Sequence, residues 1–259
     1  MEGGRNIMAI EYLAGNRLRG TSTERTALGV VGVRLADSGI SKTELKVYWK
    51  FDEASGAIVN QAATAGSTHS IGTNANLTVS GASYNQTNTP FNTMNFDGTN
   101  DDAVAGSSTS QFNFLHDGST WTMALWLENT DVGQEAVLWS DATGANTHAN
   151  KLMVSGGGND RWIGGVYDSG IWINGYLGSN DLVEGEPYFL VFTFDPAEST
   201  DKYTMYKNGV EFGAINQSTS QGSSSNAAEP LYLMSGVGAN YFEGNIAEMT
   251  IWKRVLTDA

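Results

Sequence analysis

The chain contains no cysteine, only four prolines and only 16 % charged residues in a length of 259. Without cysteine there is no disulfide framework and no thiolate chemistry. No run of about 18 apolar residues occurs, so no membrane-spanning helix is expected. The opening stretch, MEGGRNIMAIEYLAGNRL, lacks the apolar core of a signal peptide. Positive charge is scarce: 14 Lys and Arg stand against 28 Asp and Glu, a formal net charge of −14. A surface so acidic repels nucleic acid and anionic lipid, which excludes the first as a partner and argues against membrane insertion. The three histidines, His69, His116 and His148, are far apart in polar stretches. That spacing reads as separate surface histidines and not as a metal cluster.

What is present is glycine, 31 residues of it, with Ser, Thr and Asn crowding the segments between apolar runs. Many short strands joined by polar turns have this composition. The run STWTMALWLEN alternates, with Trp121, Met123, Leu125 and Leu127 on one face and Thr122, Ala124 and Trp126 on the other. Both faces are partly apolar, as in a sheet covered on one side by another sheet. Lys207-Asn208-Gly209 carries an Asn-Gly hairpin signal. Helix-period patterns of useful length are absent. The expected fold class is all-β, two packed antiparallel sheets with Greek-key crossovers, preceded by an extended N-terminal arm.

The arm is read over residues 1–45 and the sandwich over residues 46–259. Tyr12 is the arm's lone aromatic residue, and basic residues (Arg5, Arg17, Arg19, Arg25, Arg34, Lys42) slightly outnumber acids there. The pieces IMAIEYL and ALGVVGVRL are strand-like but too small to form a core of their own. Such a segment gains most by docking on a sheet edge of a neighbouring subunit or partner, with Arg17, Arg19 and Arg25 meeting acids there. A homo-oligomer or an assembly with other structural subunits is therefore expected.

Several stretches resemble one family. They are YWKFDEASG (48–56), FNTMNFDGTNDDAVAG (91–106), STWTMALWLEN (119–129), YFLVFTFDPAESTDKYTMYKNGVEFG (188–213) and the closing LYLMSGVGANYFEGNIAEMTIWKRVLT (231–257). In the last, Phe242, Gly244, Ile246, Ile251, Trp252, Arg254 and Leu256 match a terminal pattern Phe-x-Gly-x-Ile-Asp-x-Val-x-Ile-Tyr-x-Arg-x-Leu. The chain resembles the concanavalin A-like jelly rolls of the laminin-G/pentraxin type over roughly residues 48–257. The resemblance implies binding of glycans or other proteins, with enzymes only in some branches. It also implies calcium as a cofactor to test, since many members hold it with clustered acids. Asp97, Asp101 and Asp102 are the candidate ligands, beside Asn100, and a second acid group lies at Asp195, Glu198 and Asp201. The acid of the family's Ile-Asp-x-Val is replaced by Ala247, with Glu248 one place along.

Catalysis finds little support. A jelly-roll glycosidase needs two carboxylates flanking one bond, and no Glu-x-Asp-x-x-Glu run occurs. Glu184 and Glu186 imitate it in EGEPY, where they read as turn acids. There is no Gly-x-Ser-x-Gly elbow before a helix, and SGGGNDRW lacks the helix and lysine of a phosphate loop. Glycan binding asks for aromatic platforms with polar side chains at the rim. Trp49, Trp121 and Trp252 read as core, and Trp126 and Trp139 as weaker candidates. The ligand-binding patch is placed at Asn159, Asp160, Arg161, Trp162, Tyr167, Asp168 and Trp172. The function expected is a non-catalytic structural and binding module, an extracellular or virion assembly protein such as a decoration, fibre or tail component. The alternatives are a secreted carbohydrate-binding lectin domain of a larger protein and, further off, a divergent glycosidase.

Overall fold

The computed structural model describes residues 41–86, 92–106, 108–131, 136–140, 148–155, 161–168, 171–177, 183–200, 202–208, 210–215, 225–227, 229–236 and 240–256. In chain order the strands are β1 (Leu45–Trp49), β2 (Leu77–Ser80), β3 (Ser83–Gln86), β4 (Thr93–Asp97) and β5 (Asp102–Ala105). Then come β6 (Trp121–Asn129), β7 (Ala136–Ser140), β8 (His148–Ser155), β9 (Arg161–Asp168) and β10 (Ile171–Leu177). The last are β11 (Pro187–Phe194), β12 (Tyr203–Lys207), β13 (Val210–Ile215), β14 (Leu231–Leu233) and β15 (Glu243–Trp252). Helix among the described residues is confined to single 3₁₀ turns at Gly72–Ala75 and Asn113–Leu115.

The strands form two antiparallel sheets. The first has the order β13-β12-β11-β6-β15-β4-β3, with β1 also paired to β15; the second has the order β10-β9-β8-β7-β14-β5-β2. β15 is bonded to β6 along one side. On its other side it pairs first with β4 (Ile246 opposite Met94) and then with β1 (Trp49 opposite Met249). The sequence explains this placement. The stretch from Ile246 to Trp252 is apolar enough to be covered on both faces, which a central strand requires and an edge strand avoids.

The core lies between the sheets. Trp49, Trp121, Met123, Leu125, Phe192, Met249 and Ile251 come from the first, Leu77, Ala103, Leu152, Leu231 and Leu233 from the second, and Phe51 from the loop after β1. The alternation in STWTMALWLEN is realised, since Trp121, Met123, Leu125 and Leu127 all enter this core. Trp121 packs against Phe194 and Tyr203, with ring centroids 6.0 Å and 5.9 Å away. Its indole N–H donates to the Leu115 carbonyl at 3.2 Å, so its one polar atom is satisfied. The Asn-Gly signal also holds: Asn208 takes φ +48 and Lys207 pairs with Val210 across the turn. Its amide N–H donates to the Phe189 carbonyl at 2.8 Å, and its side-chain oxygen accepts from the Phe189 N–H at 2.9 Å.

One expectation changes. His116 is buried, 1 % exposed, and not a surface residue. It follows the 3₁₀ turn that supports Trp121, and its N–H closes that turn on the Asn113 carbonyl at 2.9 Å. The polar sequence around it concealed a position the core needs. Trp252 is buried as expected, in a smaller core cluster on the far face of the first sheet with Tyr48, Ala124 and Val191.

Trp121→Ala is expected to lower stability by about 3–5 kcal/mol, because a void would open beside the rings of Phe194 and Tyr203. Denaturant unfolding followed by fluorescence measures this, and an unchanged midpoint would contradict the packing described.

Candidate functional site

Leu152 fixes which face of β8 meets the core. It lies opposite Gly164 of β9, which lies opposite Gly175 of β10. The neighbouring register positions therefore occupy the outer face. There, one row crosses all seven strands: Thr78, Val104, Tyr232, Ser140, Lys151, Gly165, Asn174. Where side chains of this face are described they meet solvent, Thr78 and Ser80 being exposed and Val104 and Tyr232 half-buried.

Beside that row, Ala149, Tyr167 and Trp172 stand directly opposite one another on β8, β9 and β10, and on the other side Met153, Ile163 and Tyr176 do the same. Gly165 sits in the middle of this nine-position grid. Lys151 and Asn174 stand opposite it on the two flanking strands, about 5 Å away.

The ligand patch expected from sequence is thus divided. Arg161, Tyr167 and Trp172 occupy outer-face positions, whereas Trp162 and Asp168 alternate to the inner face. Asn159 and Asp160 lie outside the described residues, as do Arg17, Arg19 and Arg25. Lys151, Asn174 and Tyr176 were missed. The signal that identifies them is pairing register, which a single sequence does not contain.

The acids expected to hold calcium shape a turn. The Asp97 N–H donates to the Asp101 carboxylate at 2.9 Å, and the Thr99 N–H donates to Asp97 at 2.9 Å. Asp101 is buried and wedged against Gly81, where a Cβ would overlap its carboxylate. Burial pushes the Asp101 carboxyl up despite the Asp97 amide, and burial followed by the Asp101 charge pushes Asp102 up. Among the described residues no three His, Cys, Asp or Glu come together as a metal cluster, and no helix is long and apolar enough to cross a membrane.

The outer face of the first sheet holds two acids: Glu248, noted above beside Ala247, and Glu128, which the sequence did not single out. Glu128 of β6 lies opposite Asn245 of β15, whose amide donates to it at 3.0 Å. Glu248 lies opposite Trp126 and accepts a short hydrogen bond from the Tyr48 hydroxyl. A register shift between Ile246 and Glu248 carries the acid onto this face. Trp126 packs on Phe189 with centroids 5.3 Å apart. Glu128 and Glu248 are each only 8 % exposed. Glu184 and Glu186, by contrast, are exposed on the turn before β11.

Gly244, at φ +151, lets β15 approach β6; a Cβ there would overlap the Glu128 carbonyl oxygen. Gly244→Ala should cost roughly 1–3 kcal/mol through strain and displacement. A melting temperature equal to the parent's would contradict that close approach.

Burial pushes the Glu128 carboxyl above its ordinary range, against the hydrogen bond from Asn245. A carboxyl raised in the folded state binds its proton more tightly there than in the unfolded chain. Its ionised form therefore costs stability at neutral pH, and the cost fades as pH falls through the folded pKa towards the unfolded one. Glu128→Gln should melt higher than the parent at pH 7, with the advantage lost below the ordinary carboxylate range. An advantage independent of pH would refute this account.

Comparison with known proteins agrees with the architecture. A laminin-G-type family model, described as the concanavalin A-like lectin/glucanases superfamily, matches residues 97–259. Curated protein sequences give no match. Among solved structures, domain 4 of AbnA, an extracellular GH43 arabinanase of Geobacillus stearothermophilus seen with arabinotriose, superposes with TM-score 0.57 at 14 % identity, covering 83 % of this chain and 94 % of that one. Trypanosoma rangeli sialidase in complex with sialic acid superposes with TM-score 0.56 at 13 % identity, covering 91 % of this chain but only 36 % of that one. With two antiparallel sheets closed around one core, and a family match running from the β4 turn to the last residue, the chain belongs to the concanavalin A-like lectin/glucanase superfamily.

Proposed function

We propose that the chain is a non-catalytic carbohydrate-binding module whose ligand lies on the outer face of the second sheet, over β8, β9 and β10. One observation carries the reading. On β9 and β10, Tyr167 and Trp172 are paired opposite each other, two positions along from Gly165, which Lys151 and Asn174 face from the flanking strands. Aromatic positions offer platforms for the C–H faces of a sugar, and an amine and an amide offer partners for its hydroxyls. The fold shared with an arabinanase domain seen with arabinotriose supports the reading. An extracellular setting is part of the same proposal. The net charge of −14 favours a neutral glycan over an acidic one.

The non-catalytic part rests on the carboxylates. Glu184 and Glu186 share an exposed turn, and Glu128 and Glu248 are buried, so neither pair offers two acids flanking an accessible bond. The virion or assembly role has no observation of fold or relatives in its favour, and the proposal stops at the glycan.

Titration calorimetry against neutral oligosaccharides, beginning with arabinotriose and including a sialylated control, tests it. Trp172→Ala and Tyr167→Ala are each expected to weaken binding about tenfold or more while leaving the melting temperature unchanged. Absence of binding across the panel, or undiminished binding by both variants, would overturn the reading. Hydrolysis products in the same mixtures would replace it with a glycosidase.

A further inference from the structure

The outer face of the second sheet does not end at β8. The row that holds Gly165 and Lys151 continues through Ser140 of β7 to Tyr232 of β14 and Val104 of β5. On β14, Leu231 and Leu233 enter the core, and Tyr232 between them is half-buried on the opposite face. The strands beside it are polar outward: Asp102 is half-buried on β5, and Thr78 and Ser80 are exposed on β2. Glu229 lies just before β14 and is half-buried as well. Burial first, then the charges of Glu229 and Asp102, hold the Tyr232 hydroxyl above its ordinary range, so both carboxylates lie within electrostatic reach of it. An aromatic ring rimmed by two acids thus stands on the same face as the Tyr167 and Trp172 positions.

The two aromatic ends are far apart. From β14 to β9 is three strand spacings and to β10 four, or about 14 Å and 19 Å. Between them the row holds Ser140 and Lys151, a small hydroxyl and an amine. A sugar of one or two rings reaches one end only. We propose that the site takes an extended stretch of a linear neutral polysaccharide laid across the strands, with Tyr232 as a second platform and Asp102 and Glu229 as hydroxyl acceptors beside it, an extension that rests on the glycan reading of the same face. Sugar rings stack on the Tyr232 face as they do on Tyr167 and Trp172. Carboxylates accept charge-assisted bonds from sugar hydroxyls, and they repel uronic or sialic groups at that end. One chain touching both platforms gains over two separate sugars, because its second contact is made within an already bound molecule.

Titration calorimetry of the full chain tests it, with linear neutral oligosaccharides of arabinose, xylose, glucose and mannose, each as trisaccharide and hexasaccharide. In the series that binds, the hexasaccharide is expected to bind at least about tenfold tighter than the trisaccharide. Tyr232→Leu keeps an apolar side chain opposite Val104 but removes the ring. It should bring the hexasaccharide down to the affinity of the trisaccharide and leave the trisaccharide unchanged, which also shows that the variant is folded. Trp172→Ala should weaken both. Asp102→Asn combined with Glu229→Gln should shrink the gain from length about two- to fivefold. Trisaccharide binding with no gain in the hexasaccharide, or a gain that survives Tyr232→Leu, would overturn the extension and leave the glycan reading standing. Loss of trisaccharide binding in Tyr232→Leu at an unchanged melting temperature would overturn it too, by placing Tyr232 in the short site. A gain indifferent to the acid double variant would overturn the part given to Asp102 and Glu229. Absence of binding in every series would overturn both readings.

Discussion

The long antiparallel pairing of β15 with β6 is the constraint on which the rest of the sandwich depends. β15 runs from Glu243 to Trp252 with a strand bonded on each side, β6 along one edge and β4 then β1 along the other. Its inward residues Met249 and Ile251 meet the core, and its outward residues Asn245, Glu248 and Thr250 carry the polar hydrogen bonds of the far face. Removing this strand would separate β1, β4 and β3 from β6, β11 and β12, leaving two ribbons too narrow to cover the second sheet. Gly244 belongs to the same constraint, because it brings the start of β15 against the Glu128 backbone.

The two outer faces follow different physical rules. That of the first sheet combines apolar side chains with two acids, Glu128 and Glu248, and is buried. A buried acid is tolerated when hydrogen-bonded, which Asn245 provides for Glu128 and the Tyr48 hydroxyl for Glu248. That of the second sheet alternates small, polar and aromatic positions and meets water where its side chains are described. Recognition of a hydrated, hydroxyl-rich ligand suits the second kind of face, and packing against more protein suits the first.

Much of the fold was legible in the sequence because side-chain alternation and turn chemistry are local. STWTMALWLEN announced β6 with both its faces, Asn208 announced its hairpin, and the terminal motif announced β15. What was not legible depended on register. Trp162 and Tyr167 are near in sequence and fall on opposite faces of β9, so a patch drawn from proximity mixes the two sides of a sheet. Lys151 and Asn174 come together only because β8, β9 and β10 align at Gly165. Glu248 reached its face by a local register shift, which no pattern of polar and apolar residues marks. His116 was misread because its burial comes from the 3₁₀ turn packed against Trp121, which the polar residues around it in sequence do not mark.

The late position of β15 in the chain sets the order of events during synthesis. Tyr48 and Glu248, joined by a hydrogen bond, are separated by 200 residues. The first sheet cannot close until β15 has left the ribosome, so β1, β4 and β6 must wait with unpaired edges while the second sheet is being made. Such long-range closure is slow and exposes strand edges that other nascent chains can join. The yield of folded protein in a cell should then be governed by how well those waiting edges are shielded, more than by how stable the finished sandwich is.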